Sequence, residues 1–202
     1  MPINRLFSSI IRLRMAKINR MLQNPIASQE SVFFDLAKGL QHTKFGEAHG
    51  FSKFSNAISM RDFKSQIPIR TYDEIKPWIF KAHEGASNVL WPGDVTWFAK
   101  TSGTTSDRSK LLPVTQDSLK SCHYKGGRDL LAMFCDQRPN APLYSGKHLI
   151  IGGSSTLHAN GSGSYTGDLS AIIVRNLPSW VEMRRTPGRE ITLLEDWEKK
   201  VD

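Results

Sequence analysis

The residues best suited to chemistry lie in one short run, Thr101-Ser102-Gly103-Thr104-Thr105-Ser106-Asp107-Arg108-Ser109-Lys110. Its side chains are small, polar or charged. Hydroxyls and backbone N–H groups can donate to phosphate oxygens, and a glycine lets the backbone approach a ligand closely. Lys110 adds a mobile point charge for the same anion. The G-x-x-x-x-G-K-[ST] spacing of a Walker loop is absent. On its chemistry alone the run reads either as a phosphate-binding loop or as a plain polar hairpin loop.

Other chemistries find no support. No G-x-S-x-G nucleophile elbow occurs. His42, His49, His83, His123, His148 and His158 share no spacing typical of a zinc ligand pair, so no metal site is expected. The glycines of Gly161-Ser162-Gly163-Ser164-Tyr165-Thr166-Gly167 miss the dinucleotide-binding register by one residue.

The elements that must position the run follow from its flanks. Val95-Thr96-Trp97-Phe98-Ala99 is rich in β-formers, and Leu111-Leu112-Pro113-Val114 resumes an extended stretch. The run therefore joins two strands. Upstream the chain reads as helices. One covers residues 1–24, with Ile3, Leu6, Phe7, Ile10, Ile18, Met21 and Leu22 at helical spacing; Ser28 opens a second; Ser59 caps a third. Thr71-Tyr72-Asp73-Glu74 is a capping-box pattern opening a fourth, which Pro77 should kink or split and Gly85 should end. Downstream, Thr115 should cap a long helix to about Cys135. Lys147–Ile151 reads as a buried strand, residues 154–168 as loop and turn, and Ala171–Val174 and Ile191–Val201 as helical. Helices first, then strands interleaved with helices, is an α/β order: residues 1–93 mostly helical, residues 94–202 α/β.

Composition sets the outer bounds. The chain has 202 residues, enough for one domain with a core of its own. Its formal charge of +8 suggests nucleic acid, but residues 1–29 carry Arg5, Arg12, Arg14, Lys17 and Arg20 with no acid, and the rest is nearly balanced. That acid-free segment fits a transit peptide, but its helical periodicity favours an ordinary surface helix. Cys122 and Cys135 fall in one expected helix, roughly 20 Å apart along its axis, too far to pair. Reduced thiols and a cytoplasmic location are expected, with no nucleic-acid or membrane partner.

The polar run and its flanks carry a family resemblance. Phe98-Ala99-Lys100-Thr101-Ser102-Gly103-Thr104-Thr105, followed by Lys110-Leu111-Leu112-Pro113-Val114-Thr115, resembles the ATP-phosphate loop of the acyl-adenylate-forming superfamily. Met-Pro-Ile-Asn at the start, Thr43-Lys44-Phe45-Gly46, Ile67-Pro68-Ile69-Arg70-Thr71-Tyr72, Ser87-Asn88-Val89-Leu90-Trp91-Pro92-Gly93, Asn176-Leu177-Pro178 and Arg185-Thr186-Pro187 narrow it. Together they are most similar to the auxin-responsive acyl-acid amido synthetases and their bacterial relatives. Ser106 stands where the superfamily often has glycine, and Ser109-Lys110 where it often has Pro-Lys.

The resemblance implies an ATP- and Mg²⁺-dependent ligase that forms an acyl-adenylate and passes the acyl group to an amine or amino acid. It implies ATP-phosphate binding by Thr101, Ser102, Gly103, Thr104 and Thr105, with Lys110 as the catalytic lysine. It also implies that residues 1–202 form an incomplete N-terminal part of the adenylate-forming fold. The acid that holds Mg²⁺, the ribose aspartate and the C-terminal domain are expected downstream. Such a piece is expected to be inactive alone and to self-associate. The competing reading is a non-catalytic module that uses the basic N-terminal helix to contact nucleic acid or anionic lipid.

Overall fold

A computed structural model describes residues 2–51, 58–101, 109–150, 157–192, 194, 196 and 198–201. The helices α1 (Pro2–Arg12), α2 (Met15–Gln23), α3 (Pro25–Leu40), α4 (Lys44–Ala48), α5 (Met60–Gln66) and α6 (Tyr72–His83) precede the strands β1 (Trp97–Lys100) and β2 (Leu111–Val114). Then α7 (Gln116–Ser118) runs through a π-helical segment, Leu119–Tyr124, into α8 (Lys125–Gln137). β3 (His148–Leu149), β4 (His158–Ala159), β5 (Tyr165–Gly167), α9 (Leu169–Arg175), α10 (Ser179–Glu182), β6 (Arg185–Thr186), α11 (Arg189–Thr192) and α12 (Glu198–Val201) follow. The fold is mixed helix and sheet, in the order the sequence predicts.

The chain divides into two compact units, and the polar run belongs to the one formed by Asn24–Thr115 with Ala159–Thr166. Its sheet has the order β2-β1-β5-β4, which makes β2 an edge strand. β1 and β2 are antiparallel, with Trp97 opposite Val114 and Lys100 opposite Leu111. Ile79 and Ala82 of α6 pack with Val89, Val95 and the fully buried Phe98, and Tyr72, Ile75, Trp78 and Leu111 close the rim. Each large apolar side chain buried there contributes roughly 1.5–3 kcal/mol. A second cluster joins Ala37 of α3 to Phe51 and Ile58, with Phe33, Leu40, Phe63 and Ile67 around it.

The other unit comprises Met1–Gln23, Gln116–His158 and Gly167–Asp202. Ile11 and Ile18, from α1 and α2, pack on Ala132 and Cys135 of α8. Arg12 pairs with Asp136 at 3.0 Å, and Arg14 Nε donates to Asp129 at 2.7 Å. β3 and β6 pair in parallel. Arg185, with its side chain fully buried, reaches both carboxylate oxygens of Glu182, whose pKa this contact lowers.

Several local expectations give way to packing. The N-terminal helix is two helices: amides of Leu13 and Arg14 bond back only three residues, and the flanking Arg12 and Arg14 are each held on α8. α3 starts at Pro25 rather than Ser28. Proline suits the first helical position, and Ser28 Oγ donates back to the Asn24 carbonyl from within the first turn. Pro77 does not break α6, because one lost backbone bond on an exposed position is outweighed by Ile75, Ile79 and Ala82 packing on both sides of it. Of Lys147–Ile151, Ile151 lies outside the described residues, the described part yields a strand of two residues, and Leu149 is 70% exposed. Successive strand side chains point to opposite faces, so an apolar run is buried only when both faces are covered. Residues 154–168, expected to be loop, include β4 and β5. Gly163 takes a left-handed φ of 81° in the turn, and Tyr165 both donates to the Thr96 carbonyl at 2.8 Å and stacks on Trp97. The predicted helix over Ile191–Val201 is two short pieces, α11 and α12.

The entry to this sheet unit depends on one close approach. Thr43 Oγ1 accepts from the Gly46 amide at 2.9 Å and donates to the Leu40 carbonyl at 2.7 Å. A Cβ on Gly46 would sit 1.9 Å from that carbonyl oxygen, which is backbone and has little room to yield. Gly46→Ala is expected to destabilise the chain by at least ~2 kcal/mol, read as a shift of the denaturation midpoint. A variant with the midpoint of the parent would show that the α3–α4 corner relaxes freely.

Candidate functional site

The polar run leaves β1 at Lys100 and returns to β2 at Leu111. Of the predicted phosphate-binding residues, Ser102, Gly103, Thr104 and Thr105 lie outside the described residues, while Thr101 and Lys110 are described and brought together. The Thr101 amide donates to the Lys110 carbonyl at 3.0 Å. The Lys110 amide donates to Thr101 Oγ1, also at 3.0 Å. A threonine hydroxyl thus does the work of a carbonyl in the last rung of the hairpin, and both backbone polar groups of Lys110 are satisfied from the β1 side.

Beyond that rung stands a residue that the sequence did not single out. In an antiparallel pair, positions alternate between exchanging both backbone bonds and exchanging none. Thr101 and Lys110 form the bonded position, so Leu111 turns its N–H and C=O away from β1, outward from an edge strand. Tyr72, the first residue of α6, meets both: its hydroxyl accepts from Leu111 N at 2.9 Å and donates to Leu111 O at 3.2 Å. Its ring lies under the Lys110 ammonium, 5.4 Å from ring centroid to Nζ. Nothing in the sequence links positions 39 apart; Tyr72 stood there only as part of the capping box that fixes where α6 begins and of the Ile67–Tyr72 segment of the resemblance.

That box is formed. The Glu74 carboxylate accepts from the Thr71 amide at 2.6 Å and from the Thr71 hydroxyl at 2.8 Å. Those bonds, the backbone one first, hold the Glu74 pKa below the ordinary carboxylate range, and the Arg70 charge adds to them. Arg70 ties the same turn to α4, its Nη2 lying 2.9 Å from Nε2 of His49, whose Nδ1 is 2.8 Å from the Phe45 carbonyl.

A second polar cluster lies elsewhere in the same unit. Asn160 donates to Ser164 and Thr166, Thr166 meets His83, and Ser162 donates to the His83 carbonyl at 2.6 Å. Its members satisfy one another, which is the behaviour of a structural network rather than of groups waiting for a ligand. Among the described residues no three His, Cys, Asp or Glu side chains gather as a metal site, and no helix is long and apolar enough to cross a membrane. Both cysteines are free, Cys122 exposed and Cys135 buried.

The arrangement is a helix-flanked sheet whose edge hairpin presents a lysine on a fixed backbone, and its fold is that of acyl acid amido synthetases. It superposes on the solved GH3.15 acyl acid amido synthetase with a TM-score of 0.71 at 17% identity, over 92% of this chain and 32% of that one. The same enzyme in complex with 2,4-DB gives 0.59, also at 17% identity, over 80% and 27%. The GH3 family N-terminal domain matches residues 14–202, and the chain belongs to the GH3 family.

Among curated relatives, indole-3-acetic acid-amido synthetase GH3.2 of Arabidopsis thaliana is 28% identical over 103 residues, half of this chain and 18% of that protein. Probable indole-3-acetic acid-amido synthetase GH3.2 of Oryza sativa subsp. japonica is 34% identical over 103 residues, half of this chain and 16% of that protein. The chain therefore spans about a third of the solved relative, and its matches cover less than a fifth of these curated relatives.

The Glu74 contacts carry a pH dependence of known sign. A carboxylate with a depressed folded pKa stabilises the fold above its ordinary pKa and loses that contribution as pH falls through the folded value. Glu74→Gln is expected to melt below the parent at neutral pH, with the gap closing as the pH drops through the carboxylate range. Thermal melts of both chains from about pH 7 to about pH 3 test this. A gap that stays constant across that range would remove the charge from the capping interaction.

Proposed function

We propose that this chain forms the ATP-phosphate-binding part of an acyl-acid amido synthetase. In that reaction a carboxylate oxygen attacks the α-phosphorus of ATP, the bond to the β-phosphate bridge breaks, and pyrophosphate leaves with the electron pair. An amine nitrogen then attacks the acyl carbon of the adenylate, AMP leaves, and the amine proton passes to solvent. The observation that supports the reading is the closure of the 101–110 run by Thr101 and Lys110 at the end of an antiparallel pair, in a chain of this family.

In this reading Thr101, Ser102, Gly103, Thr104 and Thr105 bind the β- and γ-phosphates. Lys110 stabilises the charge that builds on the departing pyrophosphate, and a donor aimed at developing charge acts mainly on the transition state. Magnesium enters as the counter-ion of the nucleotide, and no ligand for it is assigned to this chain. The 202-residue chain is assigned phosphate binding rather than the whole reaction. Indole-3-acetic acid, named in the relatives, is the first acid to try.

The competing basic-helix module loses ground, because Arg12 and Arg14 of its five basic residues pair with Asp136 and Asp129 of α8.

In a full-length polypeptide carrying this domain, Lys110→Ala is expected to lower kcat for acid-dependent pyrophosphate exchange by ~10²–10³, with a smaller change in the KM for ATP. Lys110→Arg should recover only part, since a broad planar fork replaces a compact ammonium. Parental turnover in Lys110→Ala, beside an unchanged thermal melt, would take this loop out of the site.

A further inference from the structure

Tyr72 touches both the backbone following Lys110 and the side chain of Lys110 itself. Its hydroxyl makes two hydrogen bonds to Leu111, at 2.9 Å and 3.2 Å, and so fills the rung that a further strand would occupy on the open edge of β2. Lys110 is consequently held on both sides: Thr101 binds its own amide and carbonyl, and Tyr72 binds those of the next residue. The ring then gives the ammonium a resting place within the ~6 Å reach of a cation–π contact.

The tyrosine is itself fixed. It opens α6 directly after the Thr71–Glu74 cap, Arg70 anchors the preceding residue to His49, and its ring sits at the rim of the Ile79–Phe98 core. A phenol is suited to this double duty, because it pairs an apolar, cation-attracting face with a hydroxyl that both donates and accepts. Phenylalanine would keep the platform and lose the rung; leucine would lose both.

We propose that Tyr72 is a positioning residue for Lys110, setting the place from which the ammonium meets phosphate; this rests on the phosphate-binding reading of the loop. Tyr72 acts through Lys110, so its effect should vanish when Lys110 is gone.

The test uses the 202-residue chain, with lysines carrying ¹³C-methyl groups from reductive methylation and the Lys110 signal assigned by Lys110→Arg. In the parent chain the Lys110 methyl signal should be displaced by the Tyr72 ring. Tyr72→Phe should keep that displacement while hydrogen exchange at the Leu111 amide speeds up about tenfold. Tyr72→Leu should abolish the displacement. Inorganic tripolyphosphate, titrated into each, should bind about tenfold more weakly to Tyr72→Leu than to the parent. In Lys110→Ala, adding Tyr72→Leu should cost nothing more, the non-additivity expected of two residues acting as one.

An undisplaced Lys110 signal in the parent, or full additivity in the double variant, would overturn the proposal. If tripolyphosphate leaves the parent Lys110 signal unmoved, the phosphate reading falls, and the methyl signals of the Tyr72 variants still decide whether the tyrosine places the lysine. Tyr72→Phe, which retains the half-buried ring, guards against a result caused by misfolding alone.

Discussion

An edge strand leaves every second residue with an N–H and a C=O that no neighbouring strand will satisfy, and on the β2 edge of this sheet Leu111 is such a residue. Much of the surrounding architecture answers this constraint. The hydroxyl that covers both groups belongs to the first residue of α6, so the helix must begin within reach of β2. Once it begins there, Ile75, Ile79 and Ala82 fall on Phe98, Val95 and Val89. A net hydrogen bond contributes only ~1 kcal/mol, whereas each large buried side chain contributes ~1.5–3 kcal/mol. Packing therefore supplies the stability of the pair, and the phenol decides its alignment.

The same comparison of magnitudes explains how a lysine can rest on an aromatic ring and still serve a ligand. At a partly exposed site a cation–π contact contributes ~0.5–1 kcal/mol, too little to hold the ammonium against a polyphosphate. Hydrogen bonds to charged groups are worth ~1.5–3 kcal/mol each, and a triphosphate offers several acceptors. The ring confines the side chain without capturing it. The backbone beneath cannot follow the side chain, because both of its polar groups are tied to Thr101.

What the sequence reveals and conceals divides along physical lines. The capping box at Thr71 and the helix over Ala171–Val174 were legible because each rests on neighbours a few residues apart, and the hairpin because β-forming runs flank one polar stretch. The partner of Leu111 was not, since a bond spanning 39 positions leaves no periodic trace. β4 and β5 were hidden by composition: Gly, Ser and Thr read as loop, yet pairing to Thr96 and the Tyr165–Trp97 stack impose a strand. Pro77 does not split α6, since its local cost is smaller than the packing on either side. Thr101 and Lys110 were recognised as members of one run, but their reciprocal bonding depends on the register of the two strands. Ser102, Gly103, Thr104 and Thr105 rest on resemblance.

Net charge was the least informative quantity, and the reason is structural. A formal +8 suggests an anionic partner, but charge acts at long range only where it is not already neutralised. Arg12 and Arg14 are neutralised on α8, and Arg185 lies buried against Glu182, where removing the carboxylate would leave an uncompensated charge costing ~3–5 kcal/mol. Those arginines hold elements in place. Lys110, with its side chain half-exposed and its backbone tied, carries its ammonium over the Tyr72 ring rather than inside the fold. The location of a basic residue in the fold therefore says more about its chemistry here than the sum of charges does.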